Sequence, residues 1–207
     1  MRGLFVVFEG GDGVGKSTQV RHLAEWLQNE GHRVLVTHEP GDTPVGLKLR
    51  QIVLDPATGD IDPRAEALLL AADKAQHLYE KVRPALASGV MVVCDRYVDS
   101  LIAYQGVGRQ LGAQEVADLA RWATADIVPD LTILMDVEPA RAVHQKTDRD
   151  RLEDAGAEFH QRVRQGFLAC AEAAPERYLV LHARDKLEHN VAAVRARVAE
   201  LIAAARA

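Results

Sequence analysis

The sequence predicts an α/β protein: a doubly wound, five-stranded parallel sheet flanked by helices. Short apolar runs recur along the 207 residues, with segments of helical periodicity between most of them. These runs are continuous rather than alternating, as expected of strands covered on both faces. Parallel neighbours also require crossover connections, which the intervening helical segments supply.

Leu4 to Phe8 reads as the first strand, and Lys16 to Glu30 as a helix with Val20, Leu23, Ala24 and Leu27 on one face. Gly31 is placed to end that helix in a left-handed turn. "HRVLVTHEP", "VMVVCDR", "LTILMDV" and "RYLVLHA" supply the second to fifth strands. Between strands two and three, Asp62-Pro63 has the form of a helix start and Gly89 of a stop, giving a helix of about 25 residues. Asp185 is the expected cap of a last helix whose stripe is Val191, Val194, Val198, Leu201 and Ile202. One domain spanning 1–207 follows from the length and from the lack of a repeat or linker.

Composition narrows the function. Twenty-five basic residues against 30 acidic ones leave a net charge of -5, which disfavours an extended nucleic-acid footprint, so no nucleic-acid partner is expected. No apolar stretch is long enough for a membrane span, and the N-terminal run is too short for a signal-peptide core. Cys94 and Cys170 lack metal-ligand spacing and read as two reduced core thiols, which with the missing leader points to the cytoplasm. The scattered histidines, His77 among them, form no metal-site spacing and read as solvated or capping residues.

The stretch "FEGGDGVGKSTQ" carries the chemistry. Gly10, Gly15, Lys16 and Ser17 fit G-x-x-x-x-G-K-[ST] between a predicted strand and a predicted helix, the context that gives this motif its meaning. Along Gly10, Gly11, Asp12, Gly13, Val14 and Gly15 the backbone can curl so that successive amides point at phosphate oxygens, and the helix start at Lys16, Ser17 and Thr18 adds partial positive charge. Lys16 is expected to reach the β and γ phosphates of ATP, and Ser17 to face a magnesium ion. Asp95 and Arg96 end the third apolar run, at the sheet edge where open α/β sheets bind ligands. Asp95 is suited to orient magnesium or its waters, and Arg96 to grip a phosphate with its planar fork. These residues leave open a phosphotransferase, with a second pocket for an acceptor, and a nucleotide-driven switch or assembly ATPase.

Five segments in order, the glycine loop, "EPGDT", "AADKAQH", "DRYVDSLIAYQG" and "DRLEDAGAEFHQRVRQGF", resemble the bacterial thymidylate kinases, P-loop NTPases of the nucleoside monophosphate kinase type. The resemblance covers nearly the whole chain. It implies transfer of the ATP γ-phosphate to dTMP, giving dTDP, by a magnesium-dependent homodimer with a short lid at 141–156. By motif position it places Glu39 after strand two, Arg50 and Arg96 on phosphate, and Ser100, Tyr104 and Gln105 at the acceptor, with Tyr104 near the deoxyribose. Asp12 matches the loop acid that reaches the sugar 3′-hydroxyl. The loop lacks the arginine that some members carry, and members without it place basic residues in the lid. Arg151, then Arg149 and Lys146, are the expected lid charges. Leu70 stands where a phenylalanine usually stacks on thymine, Lys74 where an arginine reaches the base carbonyl, and Leu101 where a small or hydroxylated residue is usual. His38 and Asp42 also depart from the family's loop. These departures concern base recognition, so a kinase acting on another pyrimidine deoxynucleotide is the nearest alternative.

Overall fold

The computed structural model describes residues 2–138, 151–152 and 155–206. Five parallel strands, β1 (Phe5–Glu9), β2 (Val34–His38), β3 (Met91–Asp95), β4 (Leu131–Asp136) and β5 (Tyr178–His182), form one sheet in the order β2-β3-β1-β4-β5. The continuous apolar runs have a direct cause. Val6 and Phe8 of β1 pack on Val20, Leu23 and Leu27 of α1 (Lys16–Asn29) and on Val194 and Val198 of α8 (Leu187–Arg206). Phe5 and Val7 point to the other face, into Leu78, Val82 and Leu86. Both faces of the central strand are therefore buried, and no position can be polar without a partner.

In this order the connections after β1 and β3 lead to opposite sides of the sheet, so the switch in winding lies between these two strands. A crevice opens beyond the carboxyl ends of those two strands. The glycine loop leaves β1 at that point, and Asp95-Arg96 leaves β3 beside it.

Three helices line the crevice's far side: α2 (Pro44–Leu54), α3 (Pro63–His77) and a helical stretch after β3, α5 (Val98–Leu101), which widens into a π-turn over Ile102–Gly108. Asp62 caps α3, its Oδ1 accepting from the amides of Arg64 and Ala65 at 2.9 and 3.2 Å, with Pro63 in the first turn. The long helix expected after it is not uniform. α3 passes through a π-turn at Leu78–Val82 into α4 (Arg83–Ala87), and Gly89 (φ 74°) closes it. Beyond α6 (Ala113–Thr124), α7 (Ala157–Ala173) packs Phe159, Val163 and Phe167 against Ala103 and Tyr104. A Cβ on Gly166 would lie 2.9 Å from the Ala103 backbone, so glycine is what lets α7 close on the π-turn.

Two expectations need correction. The last helix begins at Leu187, so Asp185 precedes the capping position and instead sits 3.7 Å from His189 Nδ1. Cys94 is buried as expected of a core thiol, but Cys170 is only half-buried; both are free. No helix among the described residues is long and apolar enough to cross a membrane.

Candidate active site

The phosphate loop is shaped by close approach. A side chain at Gly10 (φ 131°) would put its Cβ 2.5 Å from the Met135 carbonyl, and Gly15 (φ 94°) adopts the left-handed conformation immediately before α1. Glycine meets both demands at no steric cost. Lys16 curls back over the loop, donating to the carbonyls of Gly10 at 3.0 Å and Gly11 at 2.6 Å. Burial, and then the neighbouring Arg96 charge, bring the Lys16 ammonium down to about 8. A buried cation curled over a cradle of amides is a socket for an anion.

Ser17 Oγ donates to Asp95 Oδ2 at 2.8 Å, so a hydroxyl from the start of α1 and a carboxylate from the end of β3 meet. Two hard oxygen donors beside a phosphate site suit magnesium, which keeps waters and takes few protein ligands. Ser17 and Asp95 are the residues that would hold it.

Arg96 is the hinge between the two halves of the crevice. Its backbone has φ 69°, a left-handed conformation rare for a non-glycine residue, and its amide donates to the Phe8 carbonyl at 2.8 Å. Such a conformation costs on the order of 1–3 kcal/mol and persists where surrounding contacts dictate it. Here those contacts turn the guanidinium onto the glycine loop. Nη1 donates to the Gly10 carbonyl and to Ser100 Oγ, both at 3.0 Å, and Nη2 to Asp12 Oδ1 at 2.6 Å. Tyr104 donates its hydroxyl to the other Asp12 oxygen at 2.7 Å. Burial pushes the Asp12 carboxyl upward, but the charges of Arg96 and Lys16 outweigh it and hold the group well below the usual range.

A pocket runs from this cluster toward α2 and α3, with Leu54, Leu70, Leu101 and Leu152 as apolar wall and Lys74 and Gln105 as polar wall. Lys74 donates to Glu39 Oε2 at 2.6 Å, and His77 Nδ1 lies 2.7 Å from Glu39 Oε1. Burial works against ionisation of Glu39, yet the Lys74 charge and the His77 hydrogen bond leave its carboxyl lowered. His77 is fully buried, with Nε2 2.6 Å from Thr37 Oγ1, which corrects its reading as a solvated or capping residue. Asp42 receives Thr37 Oγ1 and pairs with Lys81 at 2.8 Å, while His38 Nδ1 lies 3.9 Å from Asp42. The departures at His38 and Asp42 thus continue the network that props Glu39. Arg50 of α2 donates to the Pro40 carbonyl at 2.8 Å and also lines the pocket.

Asp12, Glu39, Arg50, Leu70, Lys74, Arg96, Ser100, Tyr104 and Gln105 therefore share one pocket, and Lys16, Ser17 and Asp95 gather beside it. Arg151 does not reach it. Its Nη2 pairs with Glu66, and its Nε donates to the Val53 carbonyl at 3.0 Å. Arg149 and Lys146, with most of the segment 141–156, lie outside the described residues.

Three carboxylates, Glu9 and Glu66 fully buried and Asp99 half-buried, escaped the reading of the sequence. Glu9 accepts from the amides of Tyr97 and Ser100 at 2.7 and 3.2 Å and from Ser100 Oγ at 2.6 Å, so it sets the turn that carries Arg96 and Ser100. Burial, and then the Asp99 charge, push it up to about 7. Asp99, itself raised by burial, accepts from the Tyr178 hydroxyl at 2.6 Å. Glu66 is fully buried on α3 and receives Gln105, Arg109 and Arg151, which gives Arg109 a role the sequence did not suggest. A signal for Glu66 was present: it precedes Leu70 and Lys74 at four-residue spacing, on the same face of the helix.

Comparison with known proteins agrees with this geometry. Residues 8–194 match the family model described as thymidylate kinase. The thymidylate kinase of Cutibacterium acnes is 56% identical over 202 residues, covering 98% of this chain and 99% of that one. The thymidylate kinase of Deinococcus radiodurans is 46% identical over 196 residues, covering 92% of this chain and 95% of that one. The crystal structure of thymidylate kinase from Ehrlichia chaffeensis superposes with a TM-score of 0.72 at 31% identity, covering 87% of this chain and 93% of that one. By fold and by sequence along nearly its whole length, the chain belongs to the thymidylate kinase family.

Proposed function

We propose that the chain transfers the γ-phosphate of ATP to dTMP, giving dTDP. The observation that carries this reading is the Arg96–Asp12–Tyr104 cluster, which stands between the phosphate loop and a pocket with a polar wall suited to a nucleobase. A phosphate monoester has a second pKa of about 6, so the acceptor arrives ionised and needs no general base. What remains is to hold two polyanions in line and offset their charge. The donor's phosphates take the place of the Gly10 and Gly11 carbonyls on Lys16 Nζ. Arg96, already turned toward the loop, offers its fork to the acceptor phosphate, and Arg50, which lines the same pocket, adds a second guanidinium. Ser17 and Asp95 would hold a magnesium ion, which would supply charge neutralisation and orientation of the donor phosphates. Asp12, kept anionic, accepts from the acceptor's 3′-hydroxyl, which separates deoxynucleotide recognition from the base.

At the base end, Lys74 Nζ donates to a carbonyl and Gln105 completes the edge, with Leu70 and Leu101 as apolar walls. The segment 141–156 acts as a lid within a single domain of residues 1–207, Arg149, Lys146 and Arg151 supplying its charge. For Arg151 to serve the transferring phosphate it leaves Glu66, so lid closure exchanges one anionic partner for another. The working unit is a homodimer in the cytoplasm. A coupled assay of ADP release over dTMP, dUMP, dCMP and dGMP tests the proposal. The expected result is turnover highest with dTMP. Turnover highest with another pyrimidine would move the substrate assignment, and no ADP release with any acceptor would remove it.

A further inference from the structure

Glu66 has no place in the transfer chemistry, yet it is fully buried and gathers three partners from two parts of the chain. Gln105 donates its Nε2 to Oε1 at 3.0 Å, and Arg109 spans both oxygens at 3.1 and 3.2 Å. Arg151 donates to Oε2. The other end of the Gln105 amide, Oε1, is buried without a hydrogen-bond partner, on a residue that lines the acceptor pocket. Asp73 Oδ2, Asn190 Oδ1 and Arg195 Nε share that condition among the described residues, but none of their residues lines this pocket.

A side-chain amide can face either way, as a donor or as an acceptor, and only its surroundings decide. An ionised carboxylate accepts and cannot donate. Burial opposes the charge on Glu66, but hydrogen bonds from Arg109 and Gln105 and the charges of the two arginines keep its carboxyl lowered. The NH2 end of Gln105 must then face Glu66, and the carbonyl must face away from it. A flipped amide would set two acceptor oxygens about 3 Å apart with no proton between them.

We infer that Glu66 is a specificity-determining positioning residue, which fixes Gln105 as a hydrogen-bond acceptor in the base pocket and so selects bases with an N–H at the 3-position. Thymine and uracil carry that proton; cytosine presents a lone pair there and would face the Gln105 carbonyl acceptor to acceptor. This inference rests on the proposed deoxynucleotide kinase reading and names how the same pocket discriminates. Selectivity then resides in a residue held away from the substrate by one amide, and Arg109 serves to keep that residue charged.

The test is kcat/KM for dTMP and dCMP, at saturating ATP, in the wild-type enzyme, in Glu66→Gln and in Arg109→Lys. The Glu66→Gln side chain can itself donate, so Gln105 is free to flip. The dTMP to dCMP ratio is expected to fall about tenfold, with KM for ATP within about twofold of wild type. Arg109→Lys keeps a cation beside the carboxylate and holds the ratio within about threefold, whatever it does to melting temperature. Equal losses on both acceptors in Glu66→Gln, with the ratio unchanged, would reduce Glu66 to a packing role and overturn the inference. Should Glu66→Gln fail to fold, the wild-type enzyme decides with N3-methyl-dTMP, which lacks the proton: binding weaker than dTMP by about tenfold or more is expected, and equal binding overturns it. A wild-type enzyme that phosphorylates no acceptor removes the parent reading instead, an outcome visible before any variant is made.

Discussion

The two ends of the crevice are built by different means. The donor end is made of backbone. Gly10 to Gly15 curl because close approach to β4 and a left-handed turn demand it, and Lys16 and Ser17 follow at fixed offsets on the first turn of α1. The acceptor end is made of side chains brought from α2, α3, α5, the π-turn after it and the segment around Leu152, and three of these side chains are aimed by a buried carboxylate: Lys74 by Glu39, Gln105 by Glu66, Ser100 by Glu9. One end is therefore set by local spacing and the other by tertiary packing. Changes at the first should cost turnover and spare the fold, while changes at the second should cost selectivity and stability together.

The sharpest division is expected from Lys16→Ala. Turnover should fall by about 10³-fold while the dTMP dissociation constant stays within about threefold, because its proposed contacts are to the donor alone. Stopped-time product formation and calorimetric titration read the two quantities. Equal losses would mean that the two ends are not separable. Lys74→Met breaks the other end: it leaves Glu39 buried beside His77 without its cation, so unfolding free energy should fall by about 3–5 kcal/mol while KM for the acceptor rises. Denaturant unfolding at constant m-value measures the first part.

A pH effect of intermediate size follows from Glu9. Its folded-state pKa lies above the unfolded value, so it binds a proton in the folded chain that the unfolded chain has already released. The stabilisation is complete below about 4.5, the carboxyl's ordinary value, and is lost as pH rises through about 7. The wild-type protein should therefore lose stability relative to Glu9→Gln between pH 5 and 8, by at most about 3 kcal/mol. Parallel stability curves for the two proteins would show that Glu9 does not titrate in this window. The smallest expected effect is a gain. Leu70→Phe restores an aromatic face to the pocket wall and should tighten dTMP by about 1 kcal/mol, roughly fivefold, without changing turnover.

The same contrast explains what could be read from the sequence. The strands, the glycine loop and the strand-end pair Asp95-Arg96 were legible because each is a local pattern whose meaning is fixed by what precedes and follows it. Glu66 and Glu9 were not, since a glutamate in a helix or at a strand end is ordinarily a solvated residue, and only packing shows that these two are fully buried. His77 misled for the same reason: its partners Glu39 and Thr37 lie 38 and 40 residues away. Arg151 marks a further limit. Its charge and its place in a basic segment suggest a phosphate partner, whereas in this structure the nearer anion, Glu66, holds it. Charge identifies a possible partner, and competition among anions decides which is taken.

The central claim is that the two ends act on two nucleotides at once. It is tested most directly by binding a bisubstrate analogue, adenosine joined to thymidine through five phosphates. Such an analogue should bind at least about 10²-fold tighter than dTMP alone, and Lys16→Ala should abolish this advantage. Binding no tighter than dTMP, or an advantage that survives loss of Lys16, would contradict it.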